Sequence, residues 1–246
     1  MIPVLCAAVG ITAATATGGV TGHWLSDRAH LHSNGLNSVA AGMMLCAAVQ
    51  GLVIPGLVLC EGSPLPICVG LCLGGVLLDA MGKLLPLLLQ GSALCGKGGI
   101  RCGLFVLAMA LHHFPEGVAA GVSFGTGRAE DALMVCAGIA IQNLPEAMVV
   151  MWLLHDAEMP AAVGYGTVAA GGFLELVGLL MGCAAVHVVT AALPVLLAVA
   201  AGTMLFVVTD EMIPRSHSEE NASGAYGLLI GFCAMLLLSY AAKCVI

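Results

Sequence analysis

The feature that most constrains the fold of this chain is a series of long apolar stretches that recurs from one end to the other. Eight of them can be drawn along the 246 residues, at about 2–20, 36–59, 65–89, 102–124, 132–154, 161–183, 187–209 and 222–243. Each is close to the ~20 residues that a helix needs to cross the hydrocarbon core of a bilayer. Because lipid cannot hydrogen-bond an exposed backbone, such stretches predict helices. The expected fold is therefore all-α, a polytopic membrane protein with eight transmembrane helices.

The balance of residue types also favours a bilayer. The chain is 60% hydrophobic and 9% charged, whereas a soluble domain carries roughly 25% charged residues. Its 33 glycines predict close helix packing, since small residues let transmembrane helices approach one another. The loops are short, so we expect consecutive helices to be antiparallel neighbours within a single transmembrane domain, residues 1–246. No basic patch of the kind that binds nucleic acid is present, and lipid is the expected surrounding.

Polar residues in the middle of two apolar stretches form a repeated motif. The fourth stretch contains 112–117, HHFPEG, and the fifth contains 142–147, QNLPEA. Residues four apart share a helix face, so His112 lies beside Glu116 and Gln142 lies beside Glu146. His113 and Asn143 flank the same faces. Ionisable groups at this depth are costly and mark functional sites.

A third stretch adds one more carboxylate. Glu175 lies close to the middle of the sixth stretch, so three helices can present their polar side chains at one depth. In the repeated motifs a proline precedes each glutamate. Because proline has no N–H, Pro115 and Pro145 leave a backbone carbonyl one turn earlier without its helical donor. Such broken backbone is tolerated where it lines a cavity or binds an ion.

Imidazole, amide and carboxylate groups together suit divalent transition metals such as Zn²⁺, Fe²⁺ and Mn²⁺. These helices offer no Lys or Arg at that depth, so a cation or protons must neutralise the carboxylates. The alternative is a polar network of protonated carboxyls that only packs the bundle. The repetition of the motif favours a metal site. Its candidate ligands are His112, His113, Glu116, Gln142, Asn143, Glu146 and Glu175.

Two weaker features have simpler explanations. Asp79 and Lys83 are four apart and are expected to pair with each other. Met43 and Met44 could offer soft sulfur to a metal pathway, although packing is the favoured role for both.

The two motifs, the AAG run at 200–202 and the DEMIP run at 210–214 resemble the ZIP family of metal transporters, in particular its GufA-like branch. The resemblance extends over essentially the whole chain and implies a ZIP-like bundle in the plasma (inner) membrane. It implies a homodimer that takes up divalent metal toward the cytoplasm by an elevator-like motion. Zinc is the first expected substrate, with iron, manganese and cadmium as others, and no catalytic cofactor is expected.

The resemblance also distributes roles within the site. It implies ligand roles for His112, Glu116, Gln142 and Glu146, and second-site roles for His113, Asn143 and Glu175. The chain departs from the family pattern at His113, where Asn is usual, and at Ala147, where Gly is frequent. An additional imidazole can change the metal preference or the number of metals bound.

Two functions are alternatives to metal transport by a carrier. A metal-selective cation channel needs the same polar site at mid-membrane, and the sequence does not separate it from a carrier. An intramembrane metalloprotease needs a His-Glu-x-x-His motif, which this chain lacks. We therefore expect a transport protein and not an enzyme. Four loop Lys and Arg residues fall on one side of the eight-span arrangement and two on the other, which favours termini outside the cytoplasm.

Overall fold

The computed structural model describes residues 2–26, 33–88, 97–125, 129–216 and 223–245, and they form eight long helices with no strand among them. The predicted all-α fold is confirmed. Six of the helices are regular throughout: α1 (Ile2–Ser26), α3 (Pro64–Leu88), α4 (Lys97–Gly125), α5 (Ala129–Asp156), α6 (Ala161–Ala184) and α8 (Ser223–Val245).

The other two helices each contain a wider turn. α2 consists of Ser33–Ala47, a π-helical turn Ala48–Val53 and a last segment Ile54–Leu59. α7 consists of Val186–Val207, a π-helical turn Val208–Met212 and a last segment Ile213–Ser216. Turns of this kind are rare and often lie at functional sites.

Seven stretches of the described residues are long and apolar enough to cross a membrane, at Ile2–Ser26, Asn37–Leu59, Pro64–Leu84, Ala132–Asp156, Ala161–Ala184, Ala191–Asp210 and Gly224–Ala241. α4, which carries the two histidines of the repeated motif, is 29 residues long and lies among them in the bundle. Large apolar side chains such as Val58, Phe173 and Tyr226 point outward and are exposed. An apolar outer surface of this extent fits a helical bundle surrounded by lipid.

The helices pack as two groups. In the first group α4 packs on α6 and α1 packs on α5, and these two pairs also contact each other. In the second group α2 packs on α8 and α3 packs on α7, with α2 and α7 also in contact. The first and second groups meet mainly where α4 lies against α7 and where α5 lies against α8.

Glycines spaced four apart hold these helix pairs together. A Cβ on Gly117 of α4 would meet the backbone of Glu175, and one on Gly121 would meet the backbone of Leu179 and Cys183. The contact advances along both helices in the same direction, so α4 and α6 are parallel. Equivalent glycine rows in the other pairs are Gly18/Gly22 on α1, Gly70/Gly74 on α3 and Gly227/Gly231 on α8.

This arrangement departs from our expectation that consecutive helices would be antiparallel neighbours. α4 does pack on α5, and α5 on α6, but the largest interfaces join parallel helices that are not consecutive. The physical reason is that glycine rows allow two backbones to touch, and here each row faces a helix that is distant in sequence. Short loops limit where the next helix starts, but they do not decide which helix packs most closely.

Candidate metal centre

The structure buries all seven predicted ligands, and all of them lie on helices of the first group, α4, α5 and α6. They are His112, His113 and Glu116 on α4, Gln142, Asn143 and Glu146 on α5, and Glu175 on α6. The sequence patterns therefore placed every one of them on an inward face.

The core of the site is a cluster of two imidazoles and two carboxylates. His112, His113, Glu116 and Glu146 each offer one ligand atom, and these atoms lie within 4.8 Å of one another. Nε2 of His112 lies 3.3 Å from Oε2 of Glu146. Nε2 of Gln142 donates to Oε1 of Glu116 at 2.7 Å. The motif on α4 thus faces the motif on α5 directly, as the spacing of four predicts.

A second set of polar groups lies beside the core. Nδ2 of Asn143 donates to Oε2 of Glu175 at 2.7 Å. The same amide nitrogen lies 3.2 Å from Oγ1 of Thr15 on α1. Thr15 also donates to the carbonyl of Ile11. This network connects α1, α5 and α6 at the depth of the site.

Thr15 was missed by the sequence analysis, although a signal for it exists. Gly18 and Gly22 form the row by which α1 packs on α5, and Thr15 precedes them by three and seven residues on the same helix face. A polar residue on the glycine face of a transmembrane helix points at the partner helix. The glycine row would therefore have indicated that Thr15 faces a closely packed helix, although not that this helix is α5.

Several buried atoms of the site have no hydrogen-bond partner among the described residues. Among the described residues, five buried side-chain atoms lack a partner: Nδ1 of His113, Oε2 of Glu116, Oδ1 of Asn143, Oε1 of Glu146 and Oε1 of Glu175. All five belong to the predicted ligand set. A buried polar group without a partner costs about 1–3 kcal/mol, so a network that served only packing would be expected to satisfy them. Oxygen and imidazole nitrogen atoms left open in one cluster fit a divalent cation.

The imidazole of His113 fits because α6 has no side chain opposite it. A Cβ on Gly171 would lie 2.6 Å from Cδ2 and 2.8 Å from Nε2 of His113. On its other side the His113 ring faces the His112 ring, with 4.6 Å between ring centroids. The His113 ring is therefore held between Gly171 of α6 and the ring of His112, and its buried Nδ1 has no hydrogen-bond partner.

Both prolines of the motifs lie inside continuous helices. Pro115 is within α4 and Pro145 is within α5, and both are buried next to the glutamates that follow them. Because proline has no N–H, the carbonyls of Leu111 and Ile141 cannot receive their usual helical hydrogen bond. Backbone oxygen is thus available at the same depth as the side-chain ligands.

The two weaker features of the sequence have separate outcomes. Nζ of Lys83 lies 2.6 Å from Oδ2 of Asp79 on the exposed side of α3, so the predicted pair is confirmed. Met43 and Met44 were expected to serve packing. They line a narrow crevice that also borders Gln142 and Glu146, and they therefore lie next to the site.

A multi-pass helical bundle that buries open imidazole, amide and carboxylate groups between its helices is the construction of a transmembrane metal-ion transporter. The family model described as "ZIP Zinc transporter" matches residues 89–239, which include both motifs and Glu175. The chain belongs to the ZIP family, and it is an integral, multi-pass membrane protein. The predicted family is thereby confirmed, and so is the expectation that the chain is not an enzyme.

Individual relatives agree with the family assignment and place the chain in the GufA-like branch. Zinc transporter GufA of Myxococcus xanthus is 40% identical over 202 residues, which cover 76% of this chain and 78% of GufA. Zinc transporter ZIPB of Bordetella bronchiseptica is 34% identical over 142 residues, which cover 57% of this chain and 46% of ZIPB. Zinc transporter ZIP11 of Xenopus tropicalis is 36% identical over 154 residues, covering 58% of this chain and 45% of ZIP11.

Proposed function

We propose that this protein transports divalent transition-metal ions across the plasma membrane, with zinc as the preferred ion and iron, manganese and cadmium as further substrates. The observation that carries the proposal is the buried cluster of His112, His113, Glu116 and Glu146, whose ligand atoms lie within 4.8 Å of one another. Zinc in proteins is commonly bound by imidazole nitrogen and carboxylate oxygen. The names of the relatives, all zinc transporters, support the same metal.

In the proposed site His112, Glu116, Gln142 and Glu146 hold the transported ion. Glu116 and Glu146 lie on facing helices, and each keeps one carboxylate oxygen open, so both can bind the same ion. His113, Asn143 and Glu175 form an adjoining set of ligands, held in place by the hydrogen bond from Asn143 to Glu175. Metal is here the substrate, so its ligands must release it as well as bind it.

We propose that transport proceeds by an elevator-like displacement of the first group along the second. All seven proposed ligands belong to the first group, so a displacement of that group as a rigid body moves the site without taking it apart. Within each group, glycine rows bring helix backbones into contact. Between the groups the described glycines make one close approach, Gly51 of α2 against the Gln142 side chain. Sliding of packed helices past one another is a known form of domain motion.

The direction of transport is proposed to be toward the cytoplasm, with both termini outside it. The excess of Lys and Arg in the loops on one side supports this orientation. We also propose that residues 1–246 act as one transporter domain, because α4 packs on α7 across the boundary of the two groups. The homodimer stays a prediction, and the mass of the purified protein in lipid nanodiscs tests it.

The experiment that tests transport uses purified protein in liposomes. Uptake of labelled zinc should saturate as the zinc concentration rises. Unlabelled zinc inside the liposomes should accelerate this uptake, because a carrier can return to the outer side with zinc bound. A metal-selective channel is the second candidate, and it would give flux without such counterflow. Liposomes that take up no zinc, iron, manganese or cadmium above protein-free liposomes would overturn the proposed function.

A further inference from the structure

Thr15 brings α1 into contact with the polar network beside the metal site, although α1 carries none of the seven proposed ligands. Thr15 is buried, with 3% of its surface exposed. Its hydroxyl oxygen lies 3.2 Å from Nδ2 of Asn143 on α5. Its methyl carbon faces α6, where a Cβ on Gly172 would lie 3.8 Å away. Thr15 is therefore fixed at the place where α1, α5 and α6 meet.

The hydroxyl of Thr15 can only accept a hydrogen bond from Asn143. A threonine hydroxyl has a single hydrogen, and in Thr15 this hydrogen is donated to the backbone carbonyl of Ile11, with 3.0 Å between the two oxygens. Toward α5 the hydroxyl oxygen therefore presents a lone pair. The part of the Asn143 carboxamide that lies against Thr15 must then be its N–H, and not its carbonyl oxygen.

The carboxamide of Asn143 is held by two acceptors. Its nitrogen carries two hydrogens. One is donated to Oε2 of Glu175 at 2.7 Å, and the other is directed at Thr15. Turning the carboxamide over would place Oδ1 against the hydroxyl oxygen of Thr15 and the carboxylate of Glu175. In the observed orientation Oδ1 is buried without a hydrogen-bond partner among the described residues, so it is the atom of this side chain that can bind a cation.

We propose that Thr15 is a positioning residue of the metal site, whose hydroxyl orients the Asn143 carboxamide so that its oxygen, and not its nitrogen, is free to bind the ion. Thr15 acts through Asn143 and does not itself bind the metal. The helix α1 thereby determines whether α5 contributes this oxygen ligand. The proposal rests on the proposed transport function and identifies a determinant of metal affinity. The alternative is that Thr15 only packs and bonds to its own helix, as threonines inside helices do.

The test removes the hydroxyl and keeps the branched shape of the side chain, as in Thr15→Val. The zinc affinity of the purified protein is measured by calorimetry, and thermal unfolding without metal is measured on the same preparation. We expect the zinc affinity to fall by about tenfold or more, as it does when other residues that orient a metal ligand are removed. Thr15→Ser keeps a hydroxyl that can accept from Asn143, so it should retain most of the affinity. Thr15→Ala replaces the valine variant in this comparison if the latter does not fold.

A double-mutant cycle shows whether Thr15 acts through Asn143. In the background Asn143→Ala, the change Thr15→Val should alter the zinc affinity by less than about twofold, because no carboxamide is left to orient. The matched control is Thr17→Val. Thr17 lies on the exposed side of α1, and its hydroxyl also donates to a backbone carbonyl four residues earlier, that of Ala13. Removing this hydroxyl should leave the zinc affinity unchanged.

An unchanged zinc affinity in Thr15→Val would overturn the proposal, whatever the effect on thermal unfolding. An equal loss of affinity in the presence and in the absence of the Asn143 carboxamide would overturn it as well. Failure of the proposed function is a separate result. Liposomes that take up no metal would overturn transport, whereas the role of Thr15 is decided by zinc binding to the purified protein.

Discussion

In both helix groups, parallel helices touch through glycines spaced four apart, but among the described residues the buried histidines and carboxylates lie in the first group alone. The first group buries two histidines and three glutamates around α4, α5 and α6, whereas the buried polar residues of the second group are Asn37, Ser38 and Thr203. The comparison separates two tasks that a membrane sequence has to perform. Glycine rows fix the distance between helices in both groups, whereas buried ionisable residues form a candidate metal site in the first group alone. Substitutions in matched positions of the two groups can test this division.

The largest effect is expected from removing a carboxylate of the first group, and the matched removal of a carboxylate from the second group should have none. Glu116→Ala and Glu146→Ala should each reduce zinc uptake to the background level, because each takes away an oxygen ligand from a buried cluster. Asp79→Ala, in the second group, should leave uptake unchanged, since Asp79 pairs with Lys83 on the outer side of α3 and does not belong to the buried ligand cluster. Labelled zinc uptake at matched protein levels in the membrane is the measurement. Normal uptake by either glutamate variant would remove the site assignment.

A smaller effect is expected from adding one methyl group to a glycine row. In Gly117→Ala the new Cβ would press on the backbone of Glu175, and in Gly74→Ala it would press on the backbone of Val199. Both variants should lower the free energy of unfolding by about 1–3 kcal/mol. Only Gly117→Ala should also weaken zinc binding, by about tenfold, because it separates the helix of Glu116 from that of Glu175.

Thermal unfolding in detergent and zinc titration of the same preparations measure the two quantities. Gly166→Ala on α6 is the control, because a Cβ there meets nothing within 4 Å. Equal loss of zinc affinity in Gly117→Ala and Gly74→Ala would show that both groups support the site alike and would remove the division between them.

A still smaller effect concerns the fit of His113 against α6. Gly171→Ala should destabilise the protein because its Cβ would lie 2.6 Å from the His113 ring. In the background His113→Asn, whose side chain is shorter, the same change should cost much less, and the coupling between the two substitutions should be on the order of 0.5–3 kcal/mol. Thermal unfolding of the four proteins measures it. Costs that simply add would mean that the two residues do not depend on each other.

The smallest effect is a change of metal preference. His113→Asn should keep zinc transport active and broaden the preference toward Mn²⁺ or Fe²⁺, because imidazole is a stronger ligand for zinc-like ions than a carboxamide. Competition of labelled zinc uptake by Mn²⁺, Fe²⁺ and Cd²⁺ is compared in the two proteins. An unchanged competition profile would mean that His113 does not bind the ion. The ligands would then be His112, Glu116, Gln142 and Glu146.

Much of the fold was predictable because each helix is an almost continuous apolar stretch. The expected span 161–183, for example, corresponds to Ala161–Ala184. The site was predictable for a different reason: residues four apart share a face, and the same pattern occurs on α4 and α5. Both signals are local, and each needs only one helix at a time.

What the sequence did not give was the choice of partner for each helix. The row Gly117/Gly121 indicates a face of α4 that packs closely on another helix. Its spacing does not show that this other helix is α6. For the same reason Thr15 was not connected with Asn143, and the fit of His113 on Gly171 was not foreseen. These contacts join residues that are distant in sequence, and they depend on how the whole bundle packs.

The π-helical turn Ala48–Val53 changes the phase of α2. Gly42, before the turn, packs on α8, and Gly56, after it, packs on Ile67 of α3 and Pro194 of α7. On an unbroken α-helix, residues 14 apart would point within about 40° of each other, and one extra residue taken up by the wider turn increases this angle to about 140°. A single helix can therefore serve two interfaces on different sides. Deleting one residue from the turn would leave a regular helix. Its two halves would then no longer face both of their sets of neighbouring helices.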